Sequence, residues 1–313
     1  MSGSSEPAPL DYVTADVFTD TTFGGNPLAV VLDARGLTAA AMQAIAAEFN
    51  YSESTFLLPP DDPAHTARVR IFTPRQELPF AGHPNIGTAF VVAGIGALFG
   101  RPVGEVLQFE EAAGLVAVAV QRVGDRVVGA RLTAPQPLTT GQACPPEAVA
   151  ACVDLSPADI VTVHHPPRVA SVGLPFLFAE LASLEALARS RPVLDGFARH
   201  LPRDGADAIH LYVRDAARGP GAVRARVFAP LDNIWEDPAT GSANAALVAL
   251  LADLMPERDY DLHLSILQGV EMGRPSLLDA EAVKRDGRVG GVHIGGRCVH
   301  VMAGRLALDG AMP

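Results

Sequence analysis

The hydrophobic pattern of one segment recurs half a chain further on. Residues 68–74 read RVRIFTP and residues 224–230 read RARVFAP, an offset of 224 − 68 = 156 positions. In both copies polar and apolar residues alternate, as in a strand with one buried face, and a proline ends the pattern because it cannot continue the ladder. Since the chain has 313 residues, the repeat predicts two similar half-domains.

Each repeated strand is followed by a polar loop, a turn of small residues and an apolar segment of helical length. We expect helices over about 85–98 and 242–254. Ala, Val, Leu and Ile surround most of their circumference, so both are predicted to be buried central helices wrapped by strands. The first N–H groups of a helix lack partners within it and can bind an anion. If the halves pack about a pseudo-twofold axis, both helix starts face one cleft.

The remaining pattern predicts further strands, another helix and a linker. We expect a helix over 38–49 capped by Thr38 and a hairpin that turns at residues 124–125. Prolines and glycines between Pro135 and Pro146 indicate the linker. The other strands are predicted at 16–18, 28–32, 55–58, 116–120 and 126–132.

These elements predict an N-terminal half-domain over 10–135 and a C-terminal half-domain over 136–304. A C-terminal tail over 305–313 is expected to return to the first half-domain. The first ten residues, rich in Ser and Pro, lack the basic start and apolar core of a secretory signal and are predicted to form a loose tail.

Composition narrows the class of protein. Hydrophobic residues make up 49% and charged residues 19%, the balance of a compact globular chain. The 24 basic and 35 acidic residues give a net charge of −11 without a basic cluster, which argues against nucleic-acid or anionic-membrane partners. The longest apolar stretch, 86–99, is too short to span a bilayer.

The three cysteines, Cys144, Cys152 and Cys298, form an odd and scattered set without C-x-x-C spacing. Such usage favours a reducing compartment over a disulfide framework. We therefore expect a cytoplasmic protein in which all three are packing or surface thiols.

Three residues suit proton transfer. Glu53 opens an apolar strand, where desolvation can raise the pKa of a carboxyl group and make it a general acid or base. His83 and Asp237 lie in the two matching turns before the predicted central helices. Each also fits a structural role when taken singly: a solvated strand start, a satisfied buried histidine, and a turn or capping carboxylate.

Several familiar chemistries lack their motif. The chain has no G-x-G-x-x-G after a strand, no G-x-x-x-x-G-K-[ST], no G-x-S-x-G and no H-E-x-x-H. The pair His164-His165 precedes two prolines and has no acidic or cysteine neighbour in sequence, so we expect a loop there and no metal. No cofactor is predicted.

Several blocks resemble the PhzF-like family of phenazine biosynthesis, in family order from Asp16 to Arg305. The sequence SESTF at 52–56 departs from the commoner SETTF, and Asn85 stands where Thr is usual. The matching blocks are DVFT at 16–19, FGGNPLAVV at 23–31, SE at 52–53, FTP at 72–74, FAGHP at 80–84, EDPATGSA at 236–243, QG at 268–269, MGRP at 272–275 and GR at 304–305.

The resemblance implies an α+β fold of the diaminopimelate-epimerase-like kind. Each of two pseudo-symmetric half-domains would be a curved, mostly antiparallel sheet wrapped around a central helix, and such proteins usually form homodimers. The namesake activity is the cofactor-independent isomerisation of trans-2,3-dihydro-3-hydroxyanthranilate, in which a proton moves within a ring. The resemblance thus implies an isomerase acting on a small cyclic or amino-acid-derived carboxylate.

It also implies a site in the cleft between the halves. Glu53 would be the general acid/base, and His83 and Asp237 would complete the catalytic set. The implied substrate-binding residues are Gly82, Pro84, Asn85, Gly241, Ser242 and Ala243.

Two other functions remain open. An epimerase or racemase of the diaminopimelate or proline kind would need two cysteines at the helix starts, where this chain has Gly82-His83 and Gly241-Ser242. A non-catalytic binding or interaction protein could keep the pocket without turnover. The presence of Glu53, His83 and Asp237 together favours the isomerase.

Overall fold

A computed structural model describes residues 9–308, which form two compact units. The first unit comprises 9–132 together with 297–308, and the second comprises 133–296. The first unit therefore takes residues from both ends of the chain.

The predicted half-domain boundaries at 135 and 304 differ from the limits of these units and remain a prediction. The loose N-terminal tail lies outside the described residues except for 9–10, and the C-terminal tail except for 305–308. Within the described part of the chain, no helix has the length and hydrophobicity that crossing a membrane requires.

The described part of the first unit is built mainly of strands, with two helices. Its elements are β1 (Leu10–Val17), β2 (Asn26–Val31), α1 (Ala39–Phe49), β3 (Glu53–Leu58), β4 (Ala67–Phe72), β5 (Glu77–Leu78), α2 (Gly82–Ile95), β6 (Ala97–Leu98), β7 (Arg101–Pro102), β8 (Val106–Glu111), β9 (Gly114–Val123) and β10 (Arg126–Thr133), whose last residue belongs to the second unit.

The second unit is likewise built mainly of strands, with four short to medium α-helices. Its elements are β11 (Thr139–Ala143), α3 (Pro146–Val153), β12 (Ile160–Val161), β13 (Arg168–Ser171), β14 (Pro175–Leu181), α4 (Leu184–Arg189), α5 (Leu194–His200), β15 (Ile209–Arg214), β16 (Ala222–Ala229), β17 (Ile234–Asp237), α6 (Gly241–Asp253), β18 (Tyr260–Gln268), β19 (Ser276–Arg285) and β20 (Arg288–Leu306), of which 297–306 belong to the first unit.

In the first unit most strand pairs are antiparallel. β1 pairs with β2 on one side and with residues 298–306 of β20 on the other, and β3–β4, β8–β9 and β9–β10 are also antiparallel. The pairs β2–β3 and β4–β8 are parallel. Helix α2 packs against β1, β2, β3 and β9.

Helix α2 is the predicted central helix, and every residue from Gly82 to Ala93 is buried. It begins three residues earlier than expected because Pro84 fits in a first turn, where its missing N–H has no helical partner anyway. It ends at Ile95 instead of continuing to 98, since Gly96 takes the left-handed conformation of a C-cap.

Two smaller predictions in this unit are confirmed. The hydroxyl of Thr38 accepts a hydrogen bond from the N–H of Ala41 at 3.1 Å and caps α1. Strands β9 and β10 form the predicted hairpin, with Val123 opposite Arg126 across the turn.

The second unit repeats the plan. β13–β14, β15–β16, β18–β19 and β19–β20 are antiparallel, whereas β14–β15 and β16–β18 are parallel. Helix α6 is buried along almost its whole length and packs against β13, β14, β18 and β19. The predicted second central helix is thus confirmed to within one residue at each end.

The linker expected between Pro135 and Pro146 is wrong in its central part. Residues Thr139–Ala143 form β11, which pairs with β13. The sequence TTGQA has no apolar alternation, because none of its five side chains is buried, so a reading based on hydrophobic period cannot find this strand.

The neighbours of His164-His165 also differ from expectation. The pair lies in a loop, as predicted, but Glu180 of β14 is an acidic partner, 2.9 Å from His164 Nδ1. His165 Nε2 lies 2.7 Å from the hydroxyl of Tyr212, which in turn donates to Glu180 at 3.1 Å. Glu180 lies 16 residues further along the chain than His164. Sequence spacing could not identify it as a partner, because the fold brings the two residues together.

Each repeated strand carries an arginine that forms a two-pronged ion pair with a glutamate preceding a central helix. Arg70 donates to both carboxylate oxygens of Glu77 at 2.6 Å, and Arg226 donates to both of Glu236 at 2.8 Å. Arg226 also donates to main-chain carbonyls, including that of Ser190 at 2.9 Å. The internal repeat therefore preserves a strut between the strand and the segment that leads into the helix.

The two struts differ in burial, which gives a matched pair of variants. Side-chain exposure is 8% for Arg226 and 24% for Arg70. We expect Arg226→Met to lower the free energy of unfolding by about 3 kcal/mol, because it leaves the Glu236 carboxylate, only 14% exposed, without its partner. Arg70→Met should lower it by about 1 kcal/mol or less. Urea denaturation of both variants tests this, and equal losses would contradict it.

Candidate active site

The first turn of α2 collects four predicted site residues: Gly82, His83, Pro84 and Asn85, all buried. No side chain caps this helix start, so its N–H groups are available to an anion.

Glu53 and His83 come together in the first unit. Glu53 is the first residue of β3, and its Oε2 lies 3.3 Å from Nε2 of His83, with side-chain exposures of only 13% and 5%. A hydrogen bond of 2.9 Å between the buried hydroxyls of Thr55 and Thr88 links β3 to α2 nearby. Strand β3 and helix α2 thus bring together Glu53 and His83, two of the residues predicted to suit proton transfer.

The imidazole of His83 is neutral at physiological pH. Burial lowers its pKa from 6.5 to about 3, and a hydrogen bond to the Pro27 main chain opposes this only in part. Nδ1 of His83 also lies 3.4 Å from the amide nitrogen of Asn26. A neutral ring has one nitrogen that donates and one that accepts, so no buried positive charge stands beside the Glu53 carboxyl group.

Asn26 reaches His83 because the loop before β2 turns tightly. Gly25 has φ +62°, and a Cβ there would lie 2.3 Å from the carbonyl oxygen of Val17. The carboxylate of Asp16 holds the same loop by accepting from the N–H of Phe23 at 2.6 Å. Only glycine fits at position 25.

Asp237 ends β17 in the second unit, three residues before the N-cap of α6. Its Oδ2 accepts a hydrogen bond from the hydroxyl of Thr240 at 2.6 Å. The predicted binding residues Gly241, Ser242 and Ala243 form the first turn of α6, where again no side chain caps the helix.

Gln268 holds this turn in place. Its side-chain nitrogen donates to the carbonyl of Asp237 at 2.8 Å and to the hydroxyl of Thr240 at 3.0 Å. Its oxygen accepts from the N–H of Thr240 at 3.2 Å and from Asn244 at 2.7 Å. Gln268 is fully buried. The four hydrogen bonds occupy both hydrogens of its side-chain amide and both lone pairs of the amide oxygen.

Asn244 extends the network to His210. The amide nitrogen of Asn244 donates to Gln268 and to the carbonyl of Thr240, so its oxygen is the acceptor for Nε2 of His210 at 2.9 Å. This fixes the proton of His210 on Nε2. Burial lowers the pKa of His210 to about 4, although Asn244 opposes the shift, so the ring stays neutral.

A glycine shapes this region too. Gly269 has φ +74°, and a Cβ would lie 2.6 Å from the carbonyl oxygen of Pro238. The chain after Gln268 therefore runs directly against the segment that carries Asp237.

The structure brings Glu53 together with His83, and Asp237 together with the start of α6. These groups belong to different units, and the cleft that they would share stays a prediction. Sequence reasoning missed the roles of Asn26 and Gln268, although both stand inside motifs already quoted.

It also missed His210, Asn244 and Glu111, whose carboxyl oxygens are buried and which contacts Asn85 in the first turn of α2. For Glu111 a signal existed: Leu107 and Phe109 are fully buried, and strand alternation places residue 111 on the same face.

The cysteines lie outside the sequence segments that open the two central helices. Cys144, Cys152 and Cys298 are free and buried, which confirms a packing role. Burial raises the pKa of Cys152 and of Cys298 to about 12, so both are held as inert thiols. The two-thiol epimerase mechanism has no support here.

The comparisons with known proteins agree on one family. The family model for phenazine biosynthesis-like proteins (PhzC-PhzF) matches residues 15–304. An uncharacterized isomerase of Mesorhizobium japonicum is 38% identical over 299 residues, which is 95% of this chain and 98% of that protein. A trans-2,3-dihydro-3-hydroxyanthranilate isomerase of Pseudomonas chlororaphis is 36% identical over 95% of this chain and 99% of its own.

A solved structure shows the same fold. The PhzF-family phenazine biosynthesis protein of Bacillus anthracis superimposes with a TM-score of 0.84 at 23% identity, covering 96% of this chain and 100% of that one. The predicted α+β fold with two half-domains, each a sheet around a central helix, is confirmed.

Because the side-chain amide of Gln268 makes four hydrogen bonds, we expect its removal to destabilise the protein strongly. We expect Gln268→Leu to lower the free energy of unfolding by about 3 kcal/mol, because several buried donors and acceptors lose their partners at once. The exposed Gln142 in the same unit is the control, and Gln142→Leu should change stability by less than about 0.5 kcal/mol. Similar denaturation midpoints for both variants would show that the network is not held tightly.

The neutral His83 predicts a pH effect whose sign follows from its pKa. The unfolded chain takes up a proton on this residue as the pH falls below about 6.5, whereas the folded protein does so only near pH 3. Stability from His83 is therefore lost as the pH falls through that window. Nitrogen NMR of the imidazole should show His83 still neutral at about pH 5; protonation there would contradict the buried geometry.

Proposed function

The chain belongs to the PhzC-PhzF family of phenazine biosynthesis-like proteins, and on that premise we propose a cofactor-independent isomerase in which Glu53 moves a proton within a small carboxylate substrate. The observation that carries the mechanism is the buried Glu53–His83 pair, 3.3 Å apart at the start of a helix.

In the proposed reaction Glu53, as a carboxylate, removes a proton from a substrate carbon. The electron pair left behind moves the double bond, and the developing negative charge spreads toward the substrate carboxylate. Glu53, now protonated, returns the proton to a second carbon of the same molecule. Atoms and electrons balance within the substrate, so the step needs no oxidant or reductant.

His83 supports this exchange by staying neutral. A positively charged ring at 3.3 Å would oppose proton uptake by Glu53, whereas the buried neutral ring holds the carboxyl group by contact alone. The opening turn of α2 supplies main-chain N–H groups for the negative charge that develops.

Asp237 is proposed to orient the substrate. Thr240 and Gln268 hold its side chain and its main chain respectively, so the carboxylate has a defined direction. Ser242 and the small residues beside it, Gly241 and Ala243, leave room for a ligand at the start of α6. A cleft that joins this group to Glu53, a homodimer and a cytoplasmic location belong to the same proposal.

The relatives suggest the first substrate to test. Several proteins about 36% identical to this chain carry the name trans-2,3-dihydro-3-hydroxyanthranilate isomerase. Other cyclic amino acids and amino-acid-derived carboxylates are the next candidates, since a shared fold does not fix the substrate.

Proton NMR in D2O tests the assignment. We expect the wild-type protein to introduce solvent deuterium at a substrate carbon or to shift a double bond, and Glu53→Gln to slow this at least about 100-fold while ligand binding is retained. Glu48→Gln changes the same charge on the exposed face of α1 and should leave exchange unaltered.

Exchange that survives in Glu53→Gln would remove Glu53 from the mechanism. Tight binding of a candidate without exchange in the wild-type protein would favour a binding protein over an isomerase.

A further inference from the structure

The carboxyl group of Glu111 is buried on the inner face of β8. Both of its oxygens are shielded from solvent, and neither has a hydrogen bond of good geometry among the described residues. Native proteins rarely leave a buried carboxyl group without hydrogen bonds, because its ionised form loses its hydrogen bonds to water and gains none from the protein.

Glu111 lies at the start of α2. Ala113, just after it, donates its N–H to the carbonyl of Pro79 at 3.0 Å, which ties the β8–β9 turn to the segment before the helix. The Glu111 carboxyl group has a polar contact with Asn85, in the first turn of α2. The amide nitrogen of Asn85 is directed at the carbonyl of Ala81, at 2.9 Å, so it compensates a Glu111 carboxylate only in part.

Burial therefore keeps Glu111 protonated near neutral pH. Desolvation raises its pKa from 4.5 to about 8, and the contact with Asn85 opposes the shift. A glutamine of the same shape would avoid this titration, so a buried carboxyl group with a raised pKa makes position 111 a candidate for a functional role.

The charged groups on neighbouring elements do not neutralise Glu111. On β4, Arg68 faces Asp61 and Arg70 pairs with Glu77. The adjacent Glu110 bonds His65 and the main chain at 61–62, and on β9 Arg122 pairs with Glu105. On α2 His83 is neutral, and Glu53 is the other carboxyl near this helix start.

We propose that Glu111 is a specificity-determining residue, whose protonated form lets the start of α2 bind a carboxylate ligand and whose ionisation expels that ligand. The inference rests on the proposed function, because it assumes that the ligand at this helix start is a carboxylate. Ionised Glu111 would place a fixed negative charge, poorly screened by solvent, at the end of α2 where the anion binds.

Calorimetric titration with two probes tests this. The probes are 3-hydroxyanthranilate and its uncharged carboxamide, measured at several pH values between about 6 and 9.5. For the wild-type protein we expect the Kd of the carboxylate to rise by up to about tenfold per pH unit once Glu111 ionises, and the Kd of the carboxamide to stay nearly constant. In Glu111→Gln the carboxylate should bind with little pH dependence over the same range.

The same pH dependence in wild type and Glu111→Gln would overturn the inference, and repetition in a Glu53→Gln background separates the two carboxyl groups. A wild-type protein that binds neither probe would overturn it as well. Loss of exchange in D2O with pH-dependent binding retained would instead reject only the proposed catalysis.

Stability provides a check that the variant folds. Between about pH 4.5 and pH 8 the unfolded chain ionises Glu111 and the folded protein does not, so this group makes stability fall as the pH rises. Glu111→Gln should remove that component and unfold at an equal or higher urea concentration than wild type at pH 8. A lower midpoint there would contradict a protonated, uncompensated Glu111.

Discussion

The two central helices begin inside the protein, and this burial constrains everything around their first turns. A helix start leaves N–H groups without helical partners, and neither α2 nor α6 has a side-chain cap. Water is largely excluded from such a buried end, so the polar groups around it depend on one another for hydrogen bonds. The groups around each helix start are accordingly amides, hydroxyls, a histidine and carboxylates on closely fitted turns.

The two units meet this constraint with different chemistry on one scaffold. Both keep an arginine–glutamate strut between the repeated strand and the segment before the helix. At the helix start, however, the first unit has the titratable pair Glu53–His83. The second has a hydrogen-bond network in which the uncharged side chains of Thr240 and Gln268 surround Asp237. The two halves thus share the arginine–glutamate ion pair and differ in the polar groups at the helix start.

Much of this could be predicted from the sequence because it is local. The apolar segments of helical length located α2 and α6. The position of Glu53 at the start of an apolar strand identified it as a candidate general acid or base. What escaped prediction depends on contacts between distant positions. Gln268 reaches Thr240 across 28 residues of sequence, and β11 has no apolar pattern of its own and owes its identity to pairing with β13.

The pairing of β1 with the far end of β20 has a consequence for biosynthesis. Leu10 lies opposite Leu306 and Val17 opposite Cys298, so β1 completes its pairing only with residues that are made after the whole second unit. During translation the second unit can acquire all of its residues while the first unit still lacks one strand beside β1. The edge of β1 that faces residues 298–306 therefore stays unpaired until those residues have been made.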